Sequence, residues 1–144
     1  MDGINTSDSV TDHTRWTKAS GLYQDRIGKC TFLGTERLVD KVDELLPFDA
    51  NGYVLDNGCG SGSITVRVTD KCPQTPILAT DLSTGMLAQV DKLGLPNVTT
   101  KRADAVTLAG VDDETFMHVL SSFMIQFTPS AQSTVQAMYR VLKP

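Results

Sequence analysis

Two acidic residues and a run of glycines carry the clearest chemistry in this chain. Asp56 follows the apolar residues Tyr53, Val54 and Leu55, and is itself followed by Asn57-Gly58-Cys59-Gly60-Ser61-Gly62. Asp81 ends the next apolar run, Pro76 to Thr80. Glycines permit positive φ and let a ligand approach the backbone with no Cβ in the way. A carboxylate at a strand end can accept both hydrogen bonds of a ribose diol. A tight turn alone explains a glycine cluster, and caps or turns alone explain single Asp residues. Their joint placement at successive strand ends is what points to a bound nucleoside. Ser63 stands where the dinucleotide fingerprint GxGxxG has its third glycine, and Gly62 comes one place early, so the spacing is GxGxG. A pyrophosphate needs its charge compensated at a helix start, whereas Asp56 beside the turn suits a cationic amine. The pattern therefore favours an amino-acid-bearing nucleoside over NAD.

Positioning these groups requires strands that feed helices. Residues 1 to 14 are polar and acidic and read as a mobile tail. Trp16, Ala19, Tyr23 and Ile27 recur at helical spacing, with Gly28 to stop that helix. In a second helix Thr35 serves as cap, Leu38, Val42, Leu45 and Leu46 share a face with Val39 beside them, and Pro47 ends it. Residues 15 to 47 thus hold two N-terminal helices, and 48 to 144 the strands that could hold a ligand. Within the second segment, Tyr53 to Asp56 and Pro76 to Thr80 read as buried strands, and Asn97 to Arg102 as a polar strand at a sheet edge. Thr115 to Ser122 is the fourth strand. A helix spans Ser63 to Asp70, and a second is capped by Ser83 with Met86, Leu87, Val90 and Leu93 on one face before Gly94. The last helix has Thr128 as cap, Pro129 in its first turn, and Ala131, Val135, Met138 and Leu142 on one stripe. Strands alternating with helices need right-handed crossovers, which give a parallel sheet covered on its faces. The fold class is α/β, with ligands expected beyond the carboxyl ends of the strands.

Composition narrows the remaining choices. A chain of 144 residues with 40% hydrophobic and 21% charged residues is one ordinary folded domain. A net charge of -4 provides no basic field, so nucleic acid is not expected as a partner, nor is an anionic membrane. No apolar run reaches the length of a membrane span, and the acidic start is unlike a signal peptide, so the expected location is cytoplasmic. Cys30, Cys59 and Cys72 lack metal-ligand spacing and read as bystander thiols, with no metal expected.

The segments VLDNGCGSG, ATDLSTGML, RADAVTL, FMHVLSSFMIQF and MYRVLKP, in this order, resemble the motifs of class I S-adenosylmethionine-dependent methyltransferases. The resemblance covers Tyr53 to the last residue, and its style is that of small-molecule methyltransferases, including those of fungal secondary metabolism. It implies a Rossmann-like sheet of strand order 3-2-1-4, with the family's strands five to seven absent from this chain. It implies S-adenosylmethionine as cofactor, S-adenosylhomocysteine as its product form, and a small-molecule methyl acceptor. Asp56, Asn57, Gly58, Gly60 and Gly62 would then surround the methionyl part, and Asp81 the ribose. Leu82 and Met86 would flank adenine, Asp104 and the Ala105 backbone would meet its amino edge, and Ser121 and Phe123 would lie where strand four opens toward cofactor and substrate. Two positions depart from the family pattern: Met117 stands where Asp is common, and Asn57 replaces an apolar residue.

Other residues read as structural. His118 falls within a strand and is expected to be a packed histidine rather than a base, His13 lies in the tail, and Trp16 and Tyr23 pack the first helix. Lys101-Arg102 reads as a solvated edge. With strand four at the end of the sheet, Phe116, Met117, Val119 and Leu120 would form an unpaired apolar edge, for which a second copy or a partner chain is expected. Beside methyl transfer stand a noncatalytic binder or subunit completed by association and, disfavoured by the glycine spacing, a nicotinamide-dependent oxidoreductase.

Overall fold

A computed structural model describes residues 28–144. The proposed tail and the first proposed helix, with His13, Trp16 and Tyr23, lie outside the described residues. The elements run α1 (Gly28–Leu45), β1 (Val54–Asn57), α2 (Ser63–Lys71), β2 (Ile77–Asp81), α3 (Thr84–Asp91), β3 (Val98–Arg102), β4 (His118–Leu120), a 3₁₀ turn (Ile125–Phe127) and α4 (Ala131–Val141). The four strands form one sheet in the order β3-β2-β1-β4, every pair parallel.

The central strands are buried along their length because both faces of the sheet are covered. Val54, Ile77 and Leu120 share a cluster with Val39 of α1 and with Ile64 and Val68 of α2, while Ala79 meets Leu87 and Val90 of α3. On the opposite face Leu55 and Leu78 pack with Leu108, Phe116, Ala137 and Val141. Arg67 and Lys71 of α2 both reach Asp40 of α1 at 3.0 Å, and Lys71 also reaches Asp43 at 3.3 Å. This shared network fixes α1 across α2. β3 is the polar edge expected, with Lys101 and Arg102 exposed.

Several local expectations are corrected. Gly28 is the first residue of α1, the helix it was expected to stop lying outside the described residues, and Thr35 is an interior residue, 1% exposed, whose hydroxyl bonds Ser122 Oγ at 2.8 Å. A tertiary partner has taken the hydroxyl that a cap would use. Val39 is the buried centre of α1, whereas Leu45 and Leu46 are exposed near its end. Ser130, not Thr128, caps α4 by accepting from Ser133 N at 3.1 Å, which leaves Pro129 before the helix. The buried stripe of α4 is Thr134, Ala137 and Val141, and Val135 faces outward. The small Thr134 and Ala137 side chains let the helix lie close to the sheet. Leu93 follows α3 rather than completing its buried face and is exposed, although Ser83 caps that helix as expected by accepting from Met86 N at 3.2 Å.

The fourth strand is three residues long, not eight. Before it, Phe116 N donates to Val141 O at 3.0 Å and Lys143 N to Phe116 O at 2.8 Å, so Leu142 and Lys143 run beside Phe116 as a parallel bridge. Phe116 and Leu120 are buried rather than displayed along an apolar edge. His118 is buried against Phe48, with ring centroids 4.6 Å apart, and its Nε2 bonds Leu46 O at 2.8 Å. That is the packed histidine expected.

Candidate functional site

The carboxyl ends of β1 and β2 open into a cleft of about 1060 Å³, counting the space continuous with solvent. The glycine turn forms its floor. Gly58, Gly60 and Gly62 all have positive φ, at 72°, 53° and 93°. Only Gly60 leaves open space, since a Cβ there would meet nothing within 4 Å. At Gly58 the missing Cβ is replaced by the side chain of Met124, from the segment after β4, which occupies that notch.

The two strand-end carboxylates are held differently. Asp56 is 1% exposed, and its Oδ2 accepts from Thr65 N at 3.2 Å and Thr65 Oγ1 at 2.8 Å. Burial pushes its carboxyl up to about 7, against the Thr65 bonds that favour the ionised form, and the Asp81 charge adds in the same direction. Asp81 accepts from Gly60 N through Oδ2 at 3.0 Å and from Ser83 N through Oδ1 at 2.8 Å. Its pKa is also raised by burial, opposed by these backbone donors. Cys59 is buried between them, and burial and both carboxylates push its thiol far up, so it stays protonated.

Most of the expected site residues meet here. Asp56, Gly58, Gly60, Asp81, Leu82 and Met86 line the cleft, as do Asp104, Ala105 and Phe123. Asp104 combines both readings of a strand-end Asp, because its Oδ1 also accepts from Val106 N at 2.8 Å in a turn. Three expected residues lie outside the lining. Asn57 is fully buried below the floor, where its Nδ2 donates to Ala105 O at 3.2 Å and Thr80 Oγ1 lies 3.4 Å from its Oδ1. The family's apolar residue is thus replaced by an amide that ties the loop after β3 to β1. Gly62 holds φ at 93°, which L side chains rarely adopt, and a Cβ there would come within 3.2 Å of Val90 Cγ2. Ser121 Oγ is buried with no hydrogen-bond partner among the described residues, and its neighbour Ser122 reaches the cleft instead.

Sequence reasoning missed Thr31, Thr35, Met124 and Phe127, which also line the cleft. Adjacency to Phe123 was the available signal for Met124 and Phe127. Nothing local marks Thr35, whose place depends on a contact 87 residues away.

Residues 54–144 match the family described as a methyltransferase domain. The chain belongs to this family. Its sheet order and glycine turn are those the class I resemblance implies. Trans-aconitate 2-methyltransferase of Deinococcus radiodurans is 29% identical over 100 residues, covering 69% of this chain and 37% of that protein. Demethylmenaquinone methyltransferase of Lactobacillus johnsonii is 27% identical over 139 residues, covering 92% and 56%. A solved SAM-dependent methyltransferase from Aquifex aeolicus superposes with a TM-score of 0.68 at 20% identity, over 92% of this methyltransferase-family chain and 68% of that one. The chain therefore spans roughly a third to just over half the length of these curated relatives. No described helix is long and apolar enough to cross a membrane, and no cluster of His, Cys, Asp or Glu among the described residues could hold a metal.

The raised carboxyls set a pH dependence. Between about pH 4 and 7 the folded Asp56 keeps a proton that the unfolded chain has already lost, so stability falls as pH rises through that window, by up to ~4 kcal/mol from this residue. Asp81 acts in the same direction. Urea unfolding at pH 5 and pH 7.5 should show wild type losing more stability than Asp56→Asn, which keeps an acceptor for Thr65. An equal loss in both proteins contradicts the assignment.

Proposed function

We propose that the cleft binds S-adenosylmethionine and that the chain is the cofactor-binding part of an enzyme transferring its methyl group to a small-molecule acceptor. The observation that supports this most is the pair of strand-end carboxylates, Asp56 and Asp81, either side of a turn whose Gly60 leaves open space. These residues fit the cofactor. Asp81 has lone pairs left for ribose hydroxyls after serving Gly60 and Ser83. Thr65 N and Thr65 Oγ1 both donate to Asp56 Oδ2, which leaves Oδ1 to meet an ammonium from the cleft. Leu82 and Met86 offer apolar surface to a flat base beside Asp104 and Ala105.

When bound, S-adenosylmethionine supplies a methyl group already activated on a sulfonium. The contribution of the protein is then chiefly alignment, worth up to roughly 7 to 11 kcal/mol in favourable cases. In this reading Asp81 holds the ribose and Asp56 the aminoacyl end, and Ser122, Phe123, Met124 and Phe127 line the same cleft, where an acceptor would meet the methyl group. The short glycine spacing and Asp56 beside the turn speak against NAD, whose pyrophosphate would meet a carboxylate.

Calorimetry with S-adenosylhomocysteine should show binding that Asp81→Ala weakens at least tenfold, and NADH should not bind. Unchanged affinity in the variant removes the ribose assignment, and preferential binding of NADH removes the whole reading. Transfer of a labelled methyl group to small molecules in an extract separates an enzyme from a noncatalytic binder.

Completion of the β4 edge by a second copy or a partner chain belongs to the same proposal, since among the described residues β4 has a sheet neighbour on one side only. Sedimentation should show association that grows with concentration, and a strict monomer at high concentration contradicts homo-oligomer formation.

A further inference from the structure

Asp104 brings a carboxylate to the cleft beside Leu82 and Met86, and two peptide planes of its own loop hold it there. The plane between Ala105 and Val106 is held at both edges. Val106 N donates to Asp104 Oδ1 at 2.8 Å, and Asn57 Nδ2 donates to Ala105 O at 3.2 Å. A carbonyl only accepts, so the fully buried Asn57 amide turns its nitrogen this way. The plane between Thr107 and Leu108 is held likewise, with Leu108 N on Asp104 O at 2.7 Å and Arg140 Nη2 on Thr107 O at 3.2 Å. Each plane is rigid, so a donor on its carbonyl edge also aims the N–H that reaches Asp104.

Arg140 stands on α4 and does not itself line the cleft. Its Nη2 also donates to Leu108 O at 3.0 Å, and its Nη1 donates to Val111 O at 3.0 Å and to Asp113 Oδ1. One guanidinium thus gathers three carbonyls of the loop after β3. Between them Leu108 holds φ at 46° with its side chain buried in the cluster of Leu55, Phe116 and Val141. A bulky residue keeps that conformation only where its surroundings over-determine it. Asn57 and Arg140 come from opposite directions in the chain, and both act on the same short loop. A carboxylate set in this way accepts hydrogen bonds and gives none. Against a flat base lying on Leu82 and Met86 it would take the amino group of adenine, but would meet the oxo group of hypoxanthine oxygen to oxygen.

We infer that Asn57 and Arg140 are positioning residues, which hold Asp104 so that the cleft selects the amino edge of adenine in its nucleoside. This rests on the methyltransferase reading above. The full chain is titrated calorimetrically with S-adenosylhomocysteine and with S-inosylhomocysteine, which carries an oxo group in place of the amine. Wild type should prefer the adenine form by about tenfold or more, the worth of one hydrogen bond to a carboxylate. Asn57→Val, which removes the amide, and Arg140→Met, which removes the guanidinium from a partly exposed side chain, should each cut that preference by about threefold or more. A role in stability alone would weaken both nucleosides together. An unchanged ratio in the variants therefore overturns the positioning assignment, as does equal binding of the two nucleosides by wild type. Arg140→Met decides the outcome by itself if Asn57→Val does not fold. Failure of S-adenosylhomocysteine to bind wild type overturns the cofactor reading and this assignment with it.

Discussion

The carboxylate of Asp81 joins the parts of the ligand-binding end. One oxygen takes the N–H of Gly60, in the turn after β1, and the other takes the N–H of Ser83, the cap of α3. Because β1 and β2 are parallel and in register from Val54 with Ile77 to Asn57 with Thr80, their carboxyl ends finish side by side. The turn that follows one strand is thereby held by the residue that ends the other. Asp56, one layer deeper, is tied to Thr65 at the start of α2. Two acids are kept in a dry site where each is harder to ionise than in water. Such an arrangement costs stability at neutral pH.

The framework around these acids was legible because it rests on local, repeating signals. Apolar runs that stop at Asp56 and Asp81, each followed by a helix, dictate parallel strands and right-handed crossovers. The observed order β3-β2-β1-β4 follows from that alternation together with the family resemblance. Ser83 was readable as a cap because a cap is a contact between near neighbours.

What escaped the sequence was decided by distant contacts. Thr35 has the side chain of a cap, but Ser122, from the segment after β4, captures its hydroxyl. The stripe Ala131, Val135, Met138 and Leu142 has helical spacing, and Met138 does pack against the core, yet closeness to the sheet selects Thr134, Ala137 and Val141 as the buried residues. Met124 over Gly58 is a match of shape with no periodicity to betray it. Asn57 looked like part of the ligand cradle from its neighbours, whereas strand alternation turns it to the opposite face, toward Ala105.

The resulting cleft has a charged half inherited from the strand ends and an apolar half made by the segment after β4, and α1 braces the second against the first. The proposed function assigns the charged half to a nucleoside with an amino-acid arm. The most direct test is a crystal structure of the chain with S-adenosylhomocysteine. The account predicts both ribose hydroxyls on the Asp81 carboxylate and the aminoacyl arm passing Gly60 toward Asp56. A nucleoside seated elsewhere, or a turn at positions 58–62 closed against protein side chains with the ligand excluded, would contradict it.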